Sequence, residues 1–306
     1  MPHRPPDLRV DVVVVQNLPW AEWCARVVEV ERLGYDGVHV WDHAVHRTIT
    51  PDTPLFDGLT ALATAAALTE RVRLGTLVCA PVHRHPLALA NIAVTLDHAS
   101  GGRLDLGIGA GGAVMDFAAY GVEPWPPAEL VRRFEDTVAV VDAVLRGATQ
   151  VEGPVTSGEG ISVAPGPVQQ PRPPLLLAAR GDRSMRVVGR YADTWNVVSA
   201  DLPPDEELAR LRDRLAVLDR ACEEAGRDPA EVRRSVLLGS RSWPALSSVA
   251  AFREAVLRHV ELGIDHVVLI HPDHPGEEAV GHGPSAPGFV RDLAESLPDL
   301  RAEVAG

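Results

Sequence analysis

Short apolar runs rich in β-branched residues alternate along this chain with longer segments in which apolar residues recur at helical spacing. Such alternation indicates repeated βα units around a parallel sheet. Eight units favour closure into a barrel over an open sheet. We therefore predict an α/β protein, a single (β/α)8 TIM barrel domain over residues 1–306. The predicted strands span residues 9–16, 36–41, 72–79, 103–109, 174–179, 193–198, 233–239 and 265–270.

The segments between and after these strands predict helices. They lie near residues 20–33, 57–69, 87–99, 127–146, 182–191, 204–226, 247–262 and 287–297. Gly34 and Gly263 each stand between a helix and the next strand, where a helix C-terminus favours a left-handed residue. We expect these glycines at the bottom of the barrel in a structural role. Gly- and Pro-rich stretches near 149–174 and 271–288 predict insertions that could help to cover the barrel mouth.

The chain shows no sign of a membrane segment or a disulfide framework. No apolar run reaches the roughly 18 to 20 residues of a membrane helix, and the N-terminus lacks a secretory leader, so we expect a cytoplasmic protein. The three cysteines, Cys24, Cys79 and Cys222, are too far apart for a metal-spaced cluster and odd in number.

The charged residues exclude several classes of function. The net charge of −13 argues against a nucleic-acid partner. All 29 basic residues are Arg, which excludes Schiff-base chemistry, pyridoxal phosphate attachment and a P-loop lysine. Any anion must then be held by Arg, backbone N–H groups or helix ends.

Asp42 and His43 directly follow the second predicted strand. In a (β/α)8 barrel the chemistry lies where strands end and the next loops begin. A histidine is suited to moving a proton near neutral pH. The structural alternative is that the Asp caps the next segment and the His binds backbone. We interpret both residues as catalytic candidates.

His83 and His85 are two residues apart, a spacing that could place two imidazoles on one metal ion. The first strand, however, lacks the His-x-His pair that a metal-dependent barrel hydrolase carries there. We therefore predict no metal site.

The glycine-rich end of the fourth strand, residues 107–112, looks like a dinucleotide fingerprint. It lacks the βαβ context that such a fingerprint requires. Gly109, Ala110 and Gly111 more plausibly let the backbone come close to a flat ring or its side chain.

The segment after the fifth predicted strand leads directly into a short helix. Backbone N–H groups at a helix start, together with a guanidinium group, can hold a phosphate. The alternative is an ordinary helix start capped by Asp182. We favour the phosphate site, formed by Ala178, Ala179, Arg180, Gly181, Asp182 and Arg183.

The order and spacing of these landmarks resemble the bacterial luciferase-like monooxygenase superfamily, and more closely its branch that uses the deazaflavin coenzyme F420. The similarity runs over residues 10–198 and over the eighth strand. Its most specific stretches are Leu-Gly-Tyr-Asp at 33–36 with Asp-His at 42–43, Glu-Arg-Val-Arg-Leu-Gly-Thr at 70–76, Arg-His-Pro at 84–86, Thr-Leu-Asp at 95–97, Ser-Gly-Gly-Arg at 100–103 and Tyr-Ala-Asp-Thr-Trp-Asn at 191–196.

The resemblance implies a flavin or deazaflavin ring held against a bulge of the third strand. By position, a non-prolyl cis peptide of that bulge would join Leu77 to Val78, and Cys79 would follow it. The resemblance also implies ring contact for Asp42, proton transfer for His43 and phosphate binding for residues 178–181.

One position departs from the family pattern. Several deazaflavin dehydrogenases carry an acidic Glu after the glycines of the fourth strand, whereas Gly112 and Ala113 occupy that place here. This difference argues against a sugar-phosphate dehydrogenase.

The main hypothesis is an oxidoreductase in which coenzyme F420 transfers a hydride to or from a small organic substrate. In it His43 moves the matching proton and Asp42 orients both ring and imidazole. The alternatives are a monooxygenase that receives reduced FMN from a separate reductase, and a barrel that binds flavin without catalysis. The expected partners are a small-molecule substrate, possibly a flavin or F420 reductase, and a second copy of the chain in a homodimer, with no membrane partner.

Overall fold

A computed structural model describes residues 7–45, 55–239, 242–272, 286 and 288–306. The strands are β1 (Arg9–Val13), β2 (Gly37–Val40), β3 (Arg73–Thr76), β4 (Leu104–Gly109), β5 (Gln150–Glu152), β6 (Ser157–Glu159), β7 (Leu175–Ala178), β8 (Thr194–Val198), β9 (Arg233–Leu238) and β10 (His266–Ile270). The α-helices of the described ranges are α1 (Trp20–Arg32), α2 (Gly58–Leu68), α3 (Pro86–Ala99), α4 (Val114–Ala119), α5 (Pro127–Leu145), α6 (Asp182–Tyr191), α7 (Pro204–Glu224), α8 (Val249–Val260) and α9 (Phe289–Ala305).

Eight of the strands form a closed parallel barrel. Their order around it is β1, β2, β3, β4, β7, β8, β9 and β10, and β10 pairs with β1 to close the ring. Neighbouring strands run parallel because a helical crossover returns the chain to the same end of the barrel. This topology confirms the predicted (β/α)8 barrel.

The interior of the barrel has an apolar upper layer and a charged floor. The upper layer, toward the carboxyl ends of the strands, consists of Val13, Val15, Trp41, Leu237, Val268 and Ile270. The floor contains the buried side chains Asp11, His39, Asp105 and His266. Barrel interiors are more often filled by branched aliphatic residues, so these buried charges require partners.

The floor is organised around the carboxylate of Asp11. Its Oδ2 atom accepts hydrogen bonds from His39 Nε2 at 2.8 Å and His266 Nε2 at 2.9 Å. The Arg9 guanidinium donates to both oxygens, at 2.9 and 2.7 Å. Gly37 makes room for this arrangement, since a Cβ atom there would lie 2.6 Å from the Asp11 Cγ atom.

The glycines predicted at the helix-to-strand junctions have the expected conformation. Gly34 has φ of 86° and Gly263 has φ of 80°, both in the left-handed region. They end the turns that precede β2 and β10 and lie at the bottom of the barrel. The prediction for these two positions is confirmed.

Among the strands and α-helices of the described residues, three short elements were not predicted, namely the hairpin strands β5 and β6 and the six-residue helix α4. Each is too short to show a periodic pattern. Several predicted strands were also too long; β1, for example, ends at Val13 and not at residue 16.

The insertion near 149–174 divides between the two ends of the barrel. Asp136 Oδ1 accepts the N–H groups of Val155 and Thr156, which ties the hairpin to α5. Gln169 instead binds Asp97 of α3 and the carbonyl of Leu104 at the start of β4. The prediction that this insertion covers the mouth is therefore wrong for its second half, which packs against the bottom.

The second predicted insertion, near 271–288, lies outside the described residues for most of its length. Among the described helices, none combines the length and apolar character required to cross a lipid bilayer.

Candidate functional site

A cavity of about 470 Å³ lies where the carboxyl ends of β2, β3, β4, β7 and β8 meet. This is the end at which (β/α)8 enzymes carry their active sites. Eleven of the fourteen residues predicted for the site line the cavity, namely Asp42, His43, Leu77, Val78, Gly109, Ala110, Gly111, Ala178, Ala179, Arg180 and Gly181.

The other three predicted residues lie outside the cavity lining. Cys79 is buried, its thiol donates to Thr76 Oγ1 at 3.4 Å, and burial raises its pKa. Asp182 and Arg183 are exposed in the first turn of α6. The Asp182 carboxylate lies 3.4 Å from the Arg214 guanidinium.

The wall of the cavity between β3 and β4 contains the bulge expected from the resemblance. The peptide bond between Leu77 and Val78 is cis, as predicted. After the cis peptide, the bulge is hydrogen-bonded to β4, because the Cys79 N–H group donates to the Gly107 carbonyl at 2.8 Å. A Cβ atom at Gly109 would lie 2.5 Å from Val78 Cγ2. The bulge and β4 therefore approach closely only because β4 carries glycine.

His43 forms a hydrogen-bonded pair with Asp116 of α4. The His43 Nδ1 atom lies 2.8 Å from Asp116 Oδ2, and the N–H group of Ala44 donates to Asp116 Oδ1 at 2.9 Å. Burial opposes ionisation of Asp116, but these hydrogen bonds and the imidazole outweigh it and lower its pKa. An ionised carboxylate only accepts, so Nδ1 carries the hydrogen and Nε2 is left for a reacting group.

Asp42 is held by a different partner. Arg84 donates to its two carboxylate oxygens, at 2.5 and 3.0 Å. Asp42 is a buried residue of the cavity lining, and this pair keeps its charge compensated. The interpretation that Asp42 orients the imidazole is therefore wrong, because Asp116 makes that contact.

Asp116 lines the candidate site beside His43 and was not predicted from the sequence. The family's acidic position after the glycines of β4 holds Gly112 and Ala113, but a carboxylate returns three residues later on α4. The available signal was that Asp116 is the one charged residue between the glycines and Glu123. Its pairing with His43 could not be deduced, because α4 has no periodic pattern.

His83 and His85 serve different partners. His83 Nδ1 lies 3.3 Å from the Tyr120 hydroxyl, and its Nε2 atom lies 3.8 Å from Asp116 Oδ2. Burial lowers the pKa of His83. His85 caps α3 by accepting the N–H group of Leu87 at 3.2 Å.

Within the described ranges, Asp11, His39 and His266 are the one group of three side chains close enough together to share a metal ion. Their geometry fits a structural cluster better. Asp11 Oδ2 already accepts from both imidazoles and from Arg9, and the guanidinium charge would repel a cation at the same place.

The N-terminus of α6 opens into the cavity beside Arg180. Gly181 is the N-cap residue, and no side chain caps the helix, so the alternative of a cap by Asp182 is wrong. Ser184 Oγ instead donates to the Gly181 carbonyl at 2.8 Å. The N–H groups of the first turn lack side-chain partners and suit an anion.

Comparison with known proteins places the chain in a family. The sequence model of the luciferase-like monooxygenase family matches residues 6–270. The F420-dependent glucose-6-phosphate dehydrogenase of Beutenbergia cavernae is 33% identical over 253 residues, which cover 78% of this chain and 73% of the relative. The chain belongs to the luciferase-like monooxygenase family, whose members include F420-dependent and FMN-dependent oxidoreductases.

Solved structures show the same fold. An F420-dependent secondary alcohol dehydrogenase in complex with an F420-acetone adduct aligns with a TM-score of 0.79 at 16% identity, covering 96% of this chain and 99% of that chain. The oxygenating constituent of 3,6-diketocamphane monooxygenase from Pseudomonas putida, in complex with FMN, aligns with a TM-score of 0.71 at 14% identity, covering 97% and 99%.

Proposed function

We propose that this protein is an oxidoreductase that uses coenzyme F420 to transfer a hydride to or from a small organic substrate. The observation that carries the proposal is the pairing of His43 with Asp116 at a cavity whose other walls suit a ring and an anion. A proton donor and acceptor beside such a cavity is what carbonyl and alcohol chemistry requires.

The residues of the cavity fit a flat coenzyme with a phosphate. Glycines at positions 109 and 111 keep the β4 wall free of side chains, and a Cβ atom at Gly111 would lie 2.9 Å from Ala80 Cβ. The uncapped start of α6 and Arg180 would hold the phosphate. The bulge at Leu77 and Val78 would support the ring. When bound, the deazaflavin supplies or accepts a hydride at C5.

The side chains then have separate roles. Asp116 fixes the ring orientation and tautomer of His43 through the hydrogen bond at Nδ1. His43 Nε2 gives a proton to the substrate oxygen during reduction and removes one during oxidation. Asp42, compensated by Arg84, lines the cavity and would contact the coenzyme, whereas the imidazole is positioned by Asp116.

A monooxygenase that uses reduced FMN is the second candidate. It is supported by the similarity of the fold to an FMN-bound monooxygenase component and by a cavity wall made of Leu77, Val78, Ala80 and Ala110. An apolar wall keeps water away from an oxygen-reactive ring. Association as a homodimer and supply by a flavin or F420 reductase are further parts of the proposal.

Coenzyme titration tests the proposal. Oxidised and reduced F420 and FMN are each added to the purified protein while Tm and coenzyme fluorescence are followed. We expect F420 to bind and to raise Tm, and we expect the protein to leave the rate of oxygen uptake by free reduced FMN unchanged. Protein-dependent oxygen uptake with reduced FMN, above the autoxidation of the free coenzyme, would replace the first candidate by the second. Failure of both coenzymes to bind would refute both.

A variant of His43 tests the role of the imidazole. His43→Gln is expected to lower turnover by about 10²- to 10⁴-fold and to leave the Kd of the coenzyme within about threefold. The control is His98→Gln, because His98 is an exposed residue of α3 at the bottom of the barrel. Unchanged turnover in His43→Gln would exclude His43 from proton transfer.

A further inference from the structure

A second cavity, of about 510 Å³, lies between the loop that follows β3, helix α5 and the hairpin of β5 and β6. We call it the α5 cavity. Among the described residues, none lines both this cavity and the candidate site. Its volume lies in the range of pockets that hold small organic ligands.

Hydrogen-bond donors of the α5 cavity lack acceptors within the described part of the chain. Thr137 lines the cavity and is only 2% exposed, yet its hydroxyl makes no hydrogen bond there. The indole N–H group of Trp125 and the terminal amino groups of Arg133 likewise have no acceptor among the described residues. His85 accepts the Leu87 N–H group at Nδ1, so its neutral imidazole carries the hydrogen on Nε2. Buried polar groups are normally hydrogen-bonded, so the Thr137 hydroxyl requires a partner from outside the protein.

The charged side chains of the described lining are two arginines and one acid. The acid is Asp136, and both of its carboxylate oxygens already accept hydrogen bonds from the turn of the hairpin. Arg84 is engaged by Asp42 of the candidate site. Arg133 is therefore the guanidinium that remains for a ligand, and the acid of the lining does not oppose an anion with a free oxygen.

The charge of Arg133 is only partly compensated. Its Nε atom donates to Glu129 at 2.7 Å, but the same carboxylate also accepts from Arg132 at 2.8 Å. Two guanidinium charges thus meet one carboxylate. The Arg133 Cζ atom lies 4.6 Å from the ring centroid of Trp125, a cation–π contact that holds the guanidinium at the cavity wall.

The lining also includes carbon surface and the start of a helix. Pro81, Val82 and Val155 are apolar, and Val155 is 36% exposed. Pro86, the first residue of α3, lines the cavity, so the positive end of the α3 dipole lies beside it. An inorganic anion would leave the carbon surface in water, whereas an organic anion covers it.

We propose that the α5 cavity is a binding site for a small organic anion in which a carboxylate or phosphate group is attached to an apolar body. The oxyanion accepts hydrogen bonds from Arg133, the Thr137 hydroxyl and the Trp125 indole. The apolar body covers the proline and valine side chains. This assignment goes beyond the proposed function and depends on neither the coenzyme nor the redox step.

Calorimetry with four probes tests the chemical class of the ligand. Phenyl phosphate and benzoate carry the two kinds of oxyanion on an apolar ring, benzyl alcohol lacks the charge, and inorganic phosphate lacks the ring. We expect the preferred organic anion to bind at least about tenfold more tightly than benzyl alcohol and inorganic phosphate. The ratio of the two organic Kd values identifies the preferred oxyanion. Equal binding of the neutral or the inorganic probe, or no binding of either organic anion at millimolar concentration, would overturn the proposal.

A matched pair of arginine variants locates the anion. Arg133 and Arg146 both lie on α5 and both pair with an acid four residues earlier, but Arg146 is not in the lining. We expect Arg133→Gln to raise the Kd of the preferred anion at least about tenfold and Arg146→Gln to leave it within about twofold. Equal effects of the two variants would place the anion elsewhere.

Thr137→Val removes the unpartnered hydroxyl and keeps a side chain of similar shape. Because the hydroxyl has no partner in the described protein, we expect the free energy of unfolding not to fall. The Kd of the preferred anion should rise about three- to tenfold. An unchanged Kd in the folded variant would contradict a ligand at this hydroxyl and overturn the proposal.

A last variant separates this site from the candidate site, where the start of α6 also suits a phosphate. Arg180→Gln should leave the Kd of the preferred anion within about twofold, because Arg180 does not line the α5 cavity. A loss of binding in Arg180→Gln would place the anion in the candidate site and overturn a separate site. Failure of both coenzymes to bind would instead refute the proposed function and leave the α5 cavity as an anion site.

Discussion

Replacing His266 in the barrel floor should change how stability depends on pH. His266 is fully buried and donates to Asp11 through Nε2. Burial lowers its pKa to about 4, although the Asp11 carboxylate opposes the shift. In the unfolded chain the pKa of the same imidazole has the ordinary histidine value of about 6.5.

The sign and size of the effect follow from these two values. Between about pH 4 and about pH 6.5 the unfolded chain binds one more proton at this residue than the folded protein. The contribution of His266 is therefore complete above pH 6.5 and is lost as the pH falls toward 4. One pKa unit corresponds to about 1.4 kcal/mol, so the loss at about pH 4.5 is about 2.5 kcal/mol.

The assay compares the wild type with His266→Gln, because the Gln amide can still donate to Asp11 but does not titrate. Urea unfolding is followed by tryptophan fluorescence at several values between about pH 4.5 and about pH 7.5. The variant starts with a lower free energy of unfolding at neutral pH, and we expect its deficit to shrink by about 2.5 kcal/mol at about pH 4.5. His259 is also buried and has a lowered pKa. Because it is present in both proteins, its contribution to the pH dependence of stability cancels in the comparison.

The control is His98→Gln, an exposed position whose stability curve should run parallel to that of the wild type. Parallel curves for the wild type and His266→Gln would refute the reasoning. They would mean that the floor accepts a protonated His266.

The remaining predictions concern the site. Gly109→Ala should raise the Kd of the coenzyme at least about tenfold, because the added methyl group clashes with the bulge. Gly166→Ala is the control, since a Cβ atom there meets open space, and it should leave this Kd unchanged. Equal Kd values for the two variants would contradict the assignment of β4 and the bulge as a wall of the coenzyme site. Asp116→Asn should lower kcat/KM by about ten- to a hundredfold with coenzyme binding retained, and unchanged kinetics would remove its positioning role. Arg84→Gln should lower the free energy of unfolding in urea by about 2–3 kcal/mol, because it leaves Asp42 buried without its cation. Adding Asp42→Asn to this variant should recover part of the loss. Additive losses in the double variant would contradict the pairing.

Local patterns in the sequence were sufficient for the architecture. Most barrel strands are short apolar runs, several of them rich in β-branched residues, and the large helices repeat their apolar residues at helical spacing. Element type therefore follows from neighbours within a few residues. The conformation of Gly34 and Gly263 could also be predicted from the sequence, because the turn that ends a helix favours a left-handed residue. The strand ends, and with them most of the cavity lining, follow from this architecture.

Pairings between distant residues were decided by the tertiary structure alone. Asp116 meets His43 across 73 positions, and Asp42 meets Arg84 across 42, so the carboxylate next to the imidazole in sequence is not its partner in space. Neither contact has a local pattern, because each depends on how two loops meet above neighbouring strands.

The charged floor shows the same division. The sequence places His266 on a strand, but only the closed barrel brings it to Asp11 across 255 positions. A buried carboxylate is tolerable only when its partners converge on it, and that convergence exists only after β10 has paired with β1. The sequence by itself thus determined which barrel strands and large helices form and, to within a few residues, where the strands end. The tertiary structure decided which charged side chains compensate one another in the floor and at the cavity, because no local sequence pattern indicates which distant residue a side chain will contact.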